Sequence, residues 1–164
     1  MSTRSRSRAF LLVVAGVALI GASGHPAAAT AADGKRPRGV APAAVPTKGD
    51  RAARVALTEV GVPYVWGGDS PSGFDCSGLV RFVYLQVGIS LPHSSYALYG
   101  VGRPVARSKL MPGDLLFFDG LGHVGIYIGR NRMVHAPQTG QSVGIVSLSG
   151  GYGASFVAAR RIAG

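Results

Sequence analysis

The sequence is poor in cysteine, with Cys76 as the only one in 164 residues. A single cysteine excludes a disulfide within the chain, so Cys76 is either a small buried apolar residue or a reactive thiol. Cys76 is the first residue of an apolar segment, residues 76–87, which is predicted to be a helix that ends at Gly88. Unpaired N–H groups and the helix dipole favour negative charge at a helix's first turn. This placement therefore predicts a lowered pKa for the thiol.

Acidic side chains are also scarce, with 7 Asp and Glu against 17 Lys and Arg and a formal net charge of +10. Such an excess favours non-specific attraction to anionic polymers. The basic residues are scattered, and no run of five is interleaved with aromatic residues. This pattern excludes a nucleic-acid-binding footprint.

The N-terminal apolar run, residues 9–22, is too short for a stable membrane span. Its 14 residues would extend about 21 Å as a helix, against about 30 Å for the hydrocarbon core of a bilayer. Three arginines precede the run, and small residues follow it at 27–31. These features predict a secretory signal peptide over residues 1–31 that is removed by cleavage. Export makes the unpaired Cys76 more notable, because cysteines outside the cytosol are usually in disulfides.

The next segment, residues 32–49, is rich in Ala, Pro, Gly and basic residues and has almost no large apolar ones. It cannot bury enough surface to fold, so it is predicted to be a flexible linker. Residues 50–164 then form one predicted domain.

Within this domain, helices are predicted first and strands afterwards. Asp50 is predicted to cap the first helix, and Ser94 or Ser95 to cap the last. The predicted helices are 51–60, 76–87 and a short one near 94–100, and the predicted strands are 115–118, 123–128, 132–135, 143–148 and 155–161. Residues 111–114, with the sequence Met-Pro-Gly-Asp, predict a tight turn in which Asp114 is a turn residue. This order predicts an α+β domain with N-terminal helices packed on a central antiparallel β-sheet.

Two of the four histidines, His123 and His135, fall in a predicted hairpin. A cysteine nucleophile needs a base, usually histidine, and the base needs an orienting partner. Because side chains alternate faces along a strand, a three-residue loop would place both imidazoles on one face. A two-residue loop without a bulge would place them on opposite faces. His93 lies in a loop beside Pro92 and is expected to be solvated.

The same residues argue against a metal centre. One cysteine and two histidines, without a carboxylate at ligand spacing, are short of a metal-binding set. No metal and no cofactor are therefore predicted.

Four short motifs occur in order between residues 50 and 162. They are Pro63-Tyr64-Val65-Trp66-Gly67-Gly68, Gly73-Phe74-Asp75-Cys76-Ser77-Gly78-Leu79-Val80, Pro112-Gly113-Asp114-Leu115 and His123-Val124-Gly125-Ile126-Tyr127-Ile128-Gly129. Together they resemble the NlpC-type cell-wall cysteine peptidases, which are papain-like enzymes of bacteria and their phages. Each motif alone is weakly specific, whereas the four in this order cover the whole predicted domain.

The resemblance implies a catalytic set of three residues. Cys76 would be the nucleophile, His123 the general base and acid, and His135 the residue that orients His123. It also implies that Tyr64 helps to stabilise the oxyanion, with the backbone N–H of Cys76 as a second donor.

Three further residues match motif positions near the cleft. Asp75 and Ser77 would line it, although Asp75 is equally well explained as a helix N-cap. Trp66 is either a wall of the cleft or a core residue.

The resemblance further implies a secreted, extracytoplasmic thiol protease of the cell wall. The expected reaction is hydrolysis of the peptide stem of peptidoglycan, between D-glutamate and the diamino acid. Alternatives are an amidase or acyltransferase that uses the same residues, or an inert wall-binding protein in which Cys76 is only core. The expected partners are peptidoglycan stems and anionic wall polymers, with no nucleic acid, and the protein is expected to be a monomer.

Overall fold

The computed structural model describes residues 44–162, and the predicted signal peptide and residues 32–43 of the predicted linker lie outside this range. The four α-helices of the described part are α1 (Lys48–Thr58), α2 (Cys76–Gln86), α3 (Ser95–Tyr99) and α4 (Gly151–Ala154). Its strands are β1 (Asp69–Ser70), β2 (Gly73–Phe74), β3 (Arg103–Pro104), β4 (Leu115–Phe118), β5 (His123–Gly129), β6 (Arg132–His135), β7 (Gly144–Ser147) and β8 (Phe156–Arg161). None of the helices in this range has the length and apolar character needed to cross a membrane.

Six strands form one sheet in the order β3-β8-β4-β5-β6-β7, and every neighbouring pair is antiparallel. The strands β1 and β2 form a separate short hairpin just before α2. With the main helices ahead of the sheet in the chain, this is the predicted α+β architecture. The predicted strand 115–118 matches β4 in full, whereas β3 and α4 were not predicted.

The sheet buries both of its faces, and side-chain alternation separates them. One face packs with α1 and α2 and includes Leu115, Phe117, Val124, Ile126 and Val134. The other face carries a smaller cluster that includes Leu116, Phe118, Met133, Leu148 and Ala159. The histidines of β5 and β6 alternate with the helix-facing residues, so their side chains belong to the face away from the helices.

The start of α1 differs from the prediction. Thr47, not Asp50, is the N-cap, and its hydroxyl accepts a hydrogen bond of 3.0 Å from the Asp50 N–H. The Asp50 carboxylate accepts the Thr47 N–H in return at 2.9 Å. The two residues form a capping box, so Asp50 stabilises the helix from its third position and the helix begins at Lys48.

Helix α2 matches its prediction closely. Asp75 is its N-cap, and Leu79, Val80 and Val83 on the predicted inner face are fully buried. Gly78 permits the first turn of the helix to lie against the preceding loop, because a Cβ there would sit 1.9 Å from the Gly68 carbonyl oxygen. This close contact fixes the position of Cys76 relative to that loop.

The predicted turn residue Asp114 also has a tertiary role. It is 1% exposed, accepts the Met111 N–H at 2.8 Å and forms a double hydrogen bond of 2.6 Å with Arg161 of β8. The carboxylate thus closes the turn before β4 and joins it to the last strand. The hydroxyl of Tyr84 on α2 donates to the carbonyl of the neighbouring Gly113, which ties the helix to the same turn.

Candidate active site

His123 and His135 lie side by side at one end of the sheet. His123 Nε2 is 2.9 Å from His135 Nδ1, and both residues are buried. The rings meet edge to face, with centroids 5.1 Å apart. The two imidazoles therefore share one face of the sheet, as a Cys-His-His set requires.

A β-bulge produces this arrangement. The turn between β5 and β6 has two residues, Arg130 and Asn131, both with positive φ, as in the tight turns favoured in hairpins. Such a turn alone would put the histidines on opposite faces. The register shifts between Tyr127 and Gly129, and this one extra residue restores the common face.

Cys76 approaches the histidines at the start of β5. Cys76 and His123 line a shared cavity of about 370 Å³, together with Tyr64, Trp66 and Tyr152 among others. The thiol is half-buried and unpaired. The structure therefore brings the predicted nucleophile and the predicted base to one cavity.

The prediction of a lowered thiol pKa was wrong. Burial raises the pKa of Cys76, and the negative charge of Asp75 adds to this effect. Hydrogen bonds from the backbone N–H groups of Val124, Ser77 and Cys76 itself oppose the rise without reversing it. The resting thiol is thus protonated at neutral pH, and forming the thiolate requires a base.

The two histidines are held neutral. Burial lowers the pKa of His123, against a smaller rise caused by the charge of Asp119. Burial, together with the neighbouring His123, lowers the pKa of His135 to about 4. A neutral His135 can accept at Nδ1 the hydrogen that His123 carries on Nε2. That tautomer leaves the Nδ1 lone pair of His123 free to act as a base.

Asp75 is saturated with hydrogen bonds from the protein. Its carboxylate accepts the N–H of Gly78 at 2.6 Å, the N–H of Gly67 at 3.0 Å and the Ser77 hydroxyl at 3.0 Å. His93 Nε2 lies 3.0 and 3.1 Å from the two carboxylate oxygens. Burial alone would raise the pKa of Asp75, but the Gly78 N–H, His93 and Ser77 together lower it. The N-cap prediction is confirmed, and a direct contact with substrate stays a prediction.

The expectation for His93 was wrong. Its side chain is only 25% exposed, is paired with Asp75 and lines a second cavity of about 440 Å³. Sequence reasoning missed it because its partner is 18 positions earlier in the chain. The one local feature that distinguishes His93 is that it directly precedes Ser94, the N-cap of α3.

Tyr64 and Trp66 lie where the two cavities meet, and both residues line both. Trp66 is 85% exposed, so it is a wall of the cleft and not a core residue. Burial raises the pKa of Tyr64, with the charges of Cys76 and Asp75 as further causes. Its hydroxyl therefore keeps its hydrogen and remains a donor.

Two further residues of this region were not predicted. Tyr152 of α4 packs against the histidine pair, edge to face with His135 at a centroid distance of 4.9 Å and tilted against His123 at 5.7 Å. Asp119 lines the cavity that contains His123. The only signal for Tyr152 is an aromatic residue in a glycine-rich segment, which does not reveal what it contacts.

A half-buried cysteine at a helix N-terminus that shares a cavity with a histidine of an antiparallel sheet, itself hydrogen-bonded to a second histidine, is the arrangement of a papain-like thiol site. The NlpC/P60 family model matches residues 61–161, and the chain belongs to this family.

Individual relatives agree with this assignment. A probable endopeptidase of Mycobacterium tuberculosis is 55% identical over 103 residues, which are 61% of this chain and 27% of that protein. Murein DD-endopeptidase MepH of Escherichia coli is 41% identical over 129 residues, covering 70% of this chain and 48% of that protein. The chain thus spans less than half the length of either curated relative.

Solved structures confirm the fold. The crystal structure of an NlpC/P60 family protein from Bacillus cereus superposes with a TM-score of 0.67 at 37% identity. The match covers 72% of this chain and 41% of that one. The predicted family and the predicted α+β architecture are therefore both confirmed.

Proposed function

We propose that this protein is a secreted peptidoglycan hydrolase, a cysteine endopeptidase that cleaves the peptide stem between D-glutamate and the diamino acid. The observation that carries the proposal is the cavity of about 370 Å³ lined by both Cys76 and His123, with His135 hydrogen-bonded to His123. The names of the relatives support the substrate class, since one is a murein endopeptidase and another a probable endopeptidase.

Proton transfer begins the reaction. His123 Nδ1 takes the proton from the Cys76 sulfur as the sulfur attacks the carbonyl carbon of the scissile amide. His135 accepts the Nε2–H of His123 throughout, which holds the ring in the tautomer that a base requires. Because the pKa of the thiol is raised and that of His123 is lowered, the transfer accompanies attack and does not precede it.

The developing oxyanion needs donors on the Cys76 side of the cleft. Tyr64 lines the cavity there and carries a hydroxyl donor, and the N–H of Cys76, the first residue of α2, has no carbonyl partner within the helix. Donors of this kind lower the barrier by about 3–4 kcal/mol each. His123 then gives its proton to the leaving amine, and water hydrolyses the thioester to release the acid and the free thiol.

The two cavities that meet at Cys76 bind the two halves of the substrate, one on each side of the scissile bond. The cavity of about 370 Å³ contains His123, which must reach the leaving nitrogen, so this cavity receives the leaving amino acid. The cavity of about 440 Å³ extends from Cys76 to His93 and Ser95 on the other side. It receives the acyl half, which under this proposal is the D-glutamyl residue.

The test is digestion of purified sacculi followed by mass spectrometry of the fragments. Wild type should leave stems that end in D-glutamate on the glycan strands and release peptides that begin with the diamino acid, and the variants Cys76→Ala and His123→Ala should produce neither. Glu59→Gln, which removes an acid of α1's C-terminal end, is the matched control. Fragments from a bond between two D-amino acids would instead favour a DD-endopeptidase, the activity named for MepH. Equal digestion by Cys76→Ala and wild type would overturn the proposal.

A further inference from the structure

The loop between β4 and β5 has an unusual backbone. Asp119, Gly120 and Leu121 have φ values of 51°, 63° and 76°. Left-handed backbone is uncommon for residues with a side chain, and it concentrates at functional sites. Here only Gly122 separates it from His123.

The loop is held in place at both ends. The Asp119 N–H donates to the Ser155 carbonyl at 3.2 Å, and the Gly122 N–H donates to the Asp119 carbonyl at 3.1 Å. Leu121 packs against the larger core cluster. The position of Asp119 relative to His123 is therefore fixed by the fold.

Asp119 is exposed and borders the cavity of about 370 Å³ that receives the leaving group. Asp119 lines it together with Cys76 and His123 and is the only carboxylate among its lining residues. Among the side chains of residues 44–162, no cationic group forms an ion pair with it. The carboxylate is thus exposed at the cavity and available to a cationic ligand.

We infer that Asp119 binds the free side-chain ammonium of the diamino acid on the leaving side of the scissile bond. This inference rests on the proposed function, which places a diamino acid in that cavity. One amine of the diamino acid is in the amide that is cleaved, so the other is the remaining cation. A cross-link through that second amine converts it into a neutral amide. Asp119 therefore makes the enzyme prefer stems that are not cross-linked at this amine.

Synthetic tripeptides test the inference. They contain L-Ala, γ-linked D-Glu and either meso-diaminopimelate or L-lysine, with the distal amine free or acetylated. Wild type should show a kcat/KM about two- to fivefold higher for the free amine, as expected of one exposed ion pair. This ratio should decline towards 1 as the salt concentration is raised to about 0.5 M, because salt screens exposed charges.

The informative variant is Asp119→Asn, because asparagine also tolerates left-handed backbone. The ratio should fall to about 1 in this variant and stay at the wild-type value in Glu59→Gln, the matched loss of an acid outside the cleft. Any influence of the Asp119 charge on His123 acts on both peptides alike, so the ratio isolates substrate binding.

The possible failures are distinguishable. If wild type cleaves both forms equally, or if Asp119→Asn keeps the preference, the assignment of Asp119 is overturned while the proposed function stands. If wild type cleaves none of the four peptides, the proposed function is overturned and the assignment with it.

Discussion

His123 and His135 can form their 2.9 Å hydrogen bond only because β5 contains a bulge. The turn of Arg130 and Asn131 would otherwise direct the two side chains to opposite faces of the sheet. Gly125 contributes as well, because a Cβ there would lie 2.6 Å from the Met133 sulfur and 3.4 Å from the His135 Cβ. The backbone of the hairpin, and not only its two histidines, thus builds the pair.

The first prediction concerns the acceptor at His135. His135→Ala should lower kcat by about 10²-fold, because His123 loses the group that fixes its tautomer. His135→Asn should recover part of this loss, since its side-chain oxygen can accept the Nε2–H of His123. The measurement is the rate of tripeptide cleavage at neutral pH. Equal activity of the alanine and asparagine variants would contradict the orienting role.

The second prediction is a pH dependence of stability. The pKa of His135 is about 4 in the folded protein, against 6.5 for an unperturbed histidine. Between these values the unfolded state binds the proton more readily, so stability is complete above pH 6.5 and falls as the pH decreases towards 4. The protonation of His135 should lower the free energy of unfolding by about 2 kcal/mol between pH 7 and pH 5.

Urea unfolding at several pH values measures this effect, and His135→Asn is the comparison. The variant should lose less stability than wild type over the same interval, because asparagine does not titrate. The carboxylates contribute mainly at lower pH, so they affect the comparison little. Parallel pH profiles for the two proteins would show that His135 is not held neutral.

Local sequence signals predicted most of the fold. Asp75 before an apolar run predicted the N-cap and start of α2. A short apolar run after a turn predicted β4, and two strand-like runs on either side of Gly129-Arg130-Asn131 predicted the hairpin. The start of α1 was missed by three residues because Thr47 and Asp50 form a capping box, and the prediction took the wrong member of the pair as the N-cap. The family motifs then assigned roles to Cys76 and His123.

The missed features depend on contacts between distant segments. The register shift in β5 ends at Gly129, whose φ is 88°, but a glycine beside a turn does not reveal the pairing, so only the structure shows which face the histidines share. His93 and Asp75 are 18 positions apart, and Tyr152 reaches the histidines from the segment before β8. The thiol pKa was misjudged for the same reason, because the helix N-terminus is visible in the sequence and the burial that outweighs it is not.

The third prediction compares two ion pairs. Arg161→Ala should lower the free energy of unfolding by about 3 kcal/mol, because it leaves Asp114 buried without its partner. The side chains of this pair are 11% and 1% exposed. Arg81 and Asp69 form the matched exposed pair, at 44% and 40%, so Arg81→Ala should cost less than about 1 kcal/mol. Urea unfolding of both variants checks the contrast, and similar losses would show that the burial of Asp114 does not decide its contribution.

The fourth prediction concerns Tyr152, which covers the two imidazoles. Arg107 holds the segment that carries Tyr152 by donating to the carbonyls of Gly153 at 3.0 Å and Leu148 at 3.2 Å. Because burial is the main cause of the lowered pKa values of both histidines, removing the ring should raise them towards their ordinary value. Tyr152→Ala should therefore move the acidic limb of the kcat/KM profile to higher pH, by roughly half a unit or more.

Tyr152→Phe separates burial from hydrogen bonding at this position. It keeps the ring over the histidines and removes only the hydroxyl, so its pH profile should match that of wild type. Arg107→Ala should shift the profile in the same direction as Tyr152→Ala but less, because Phe118 still packs against the Tyr152 ring at 5.3 Å. A loss of activity in Tyr152→Ala with an unmoved acidic limb would mean that the ring supports the loop without setting the protonation of the pair.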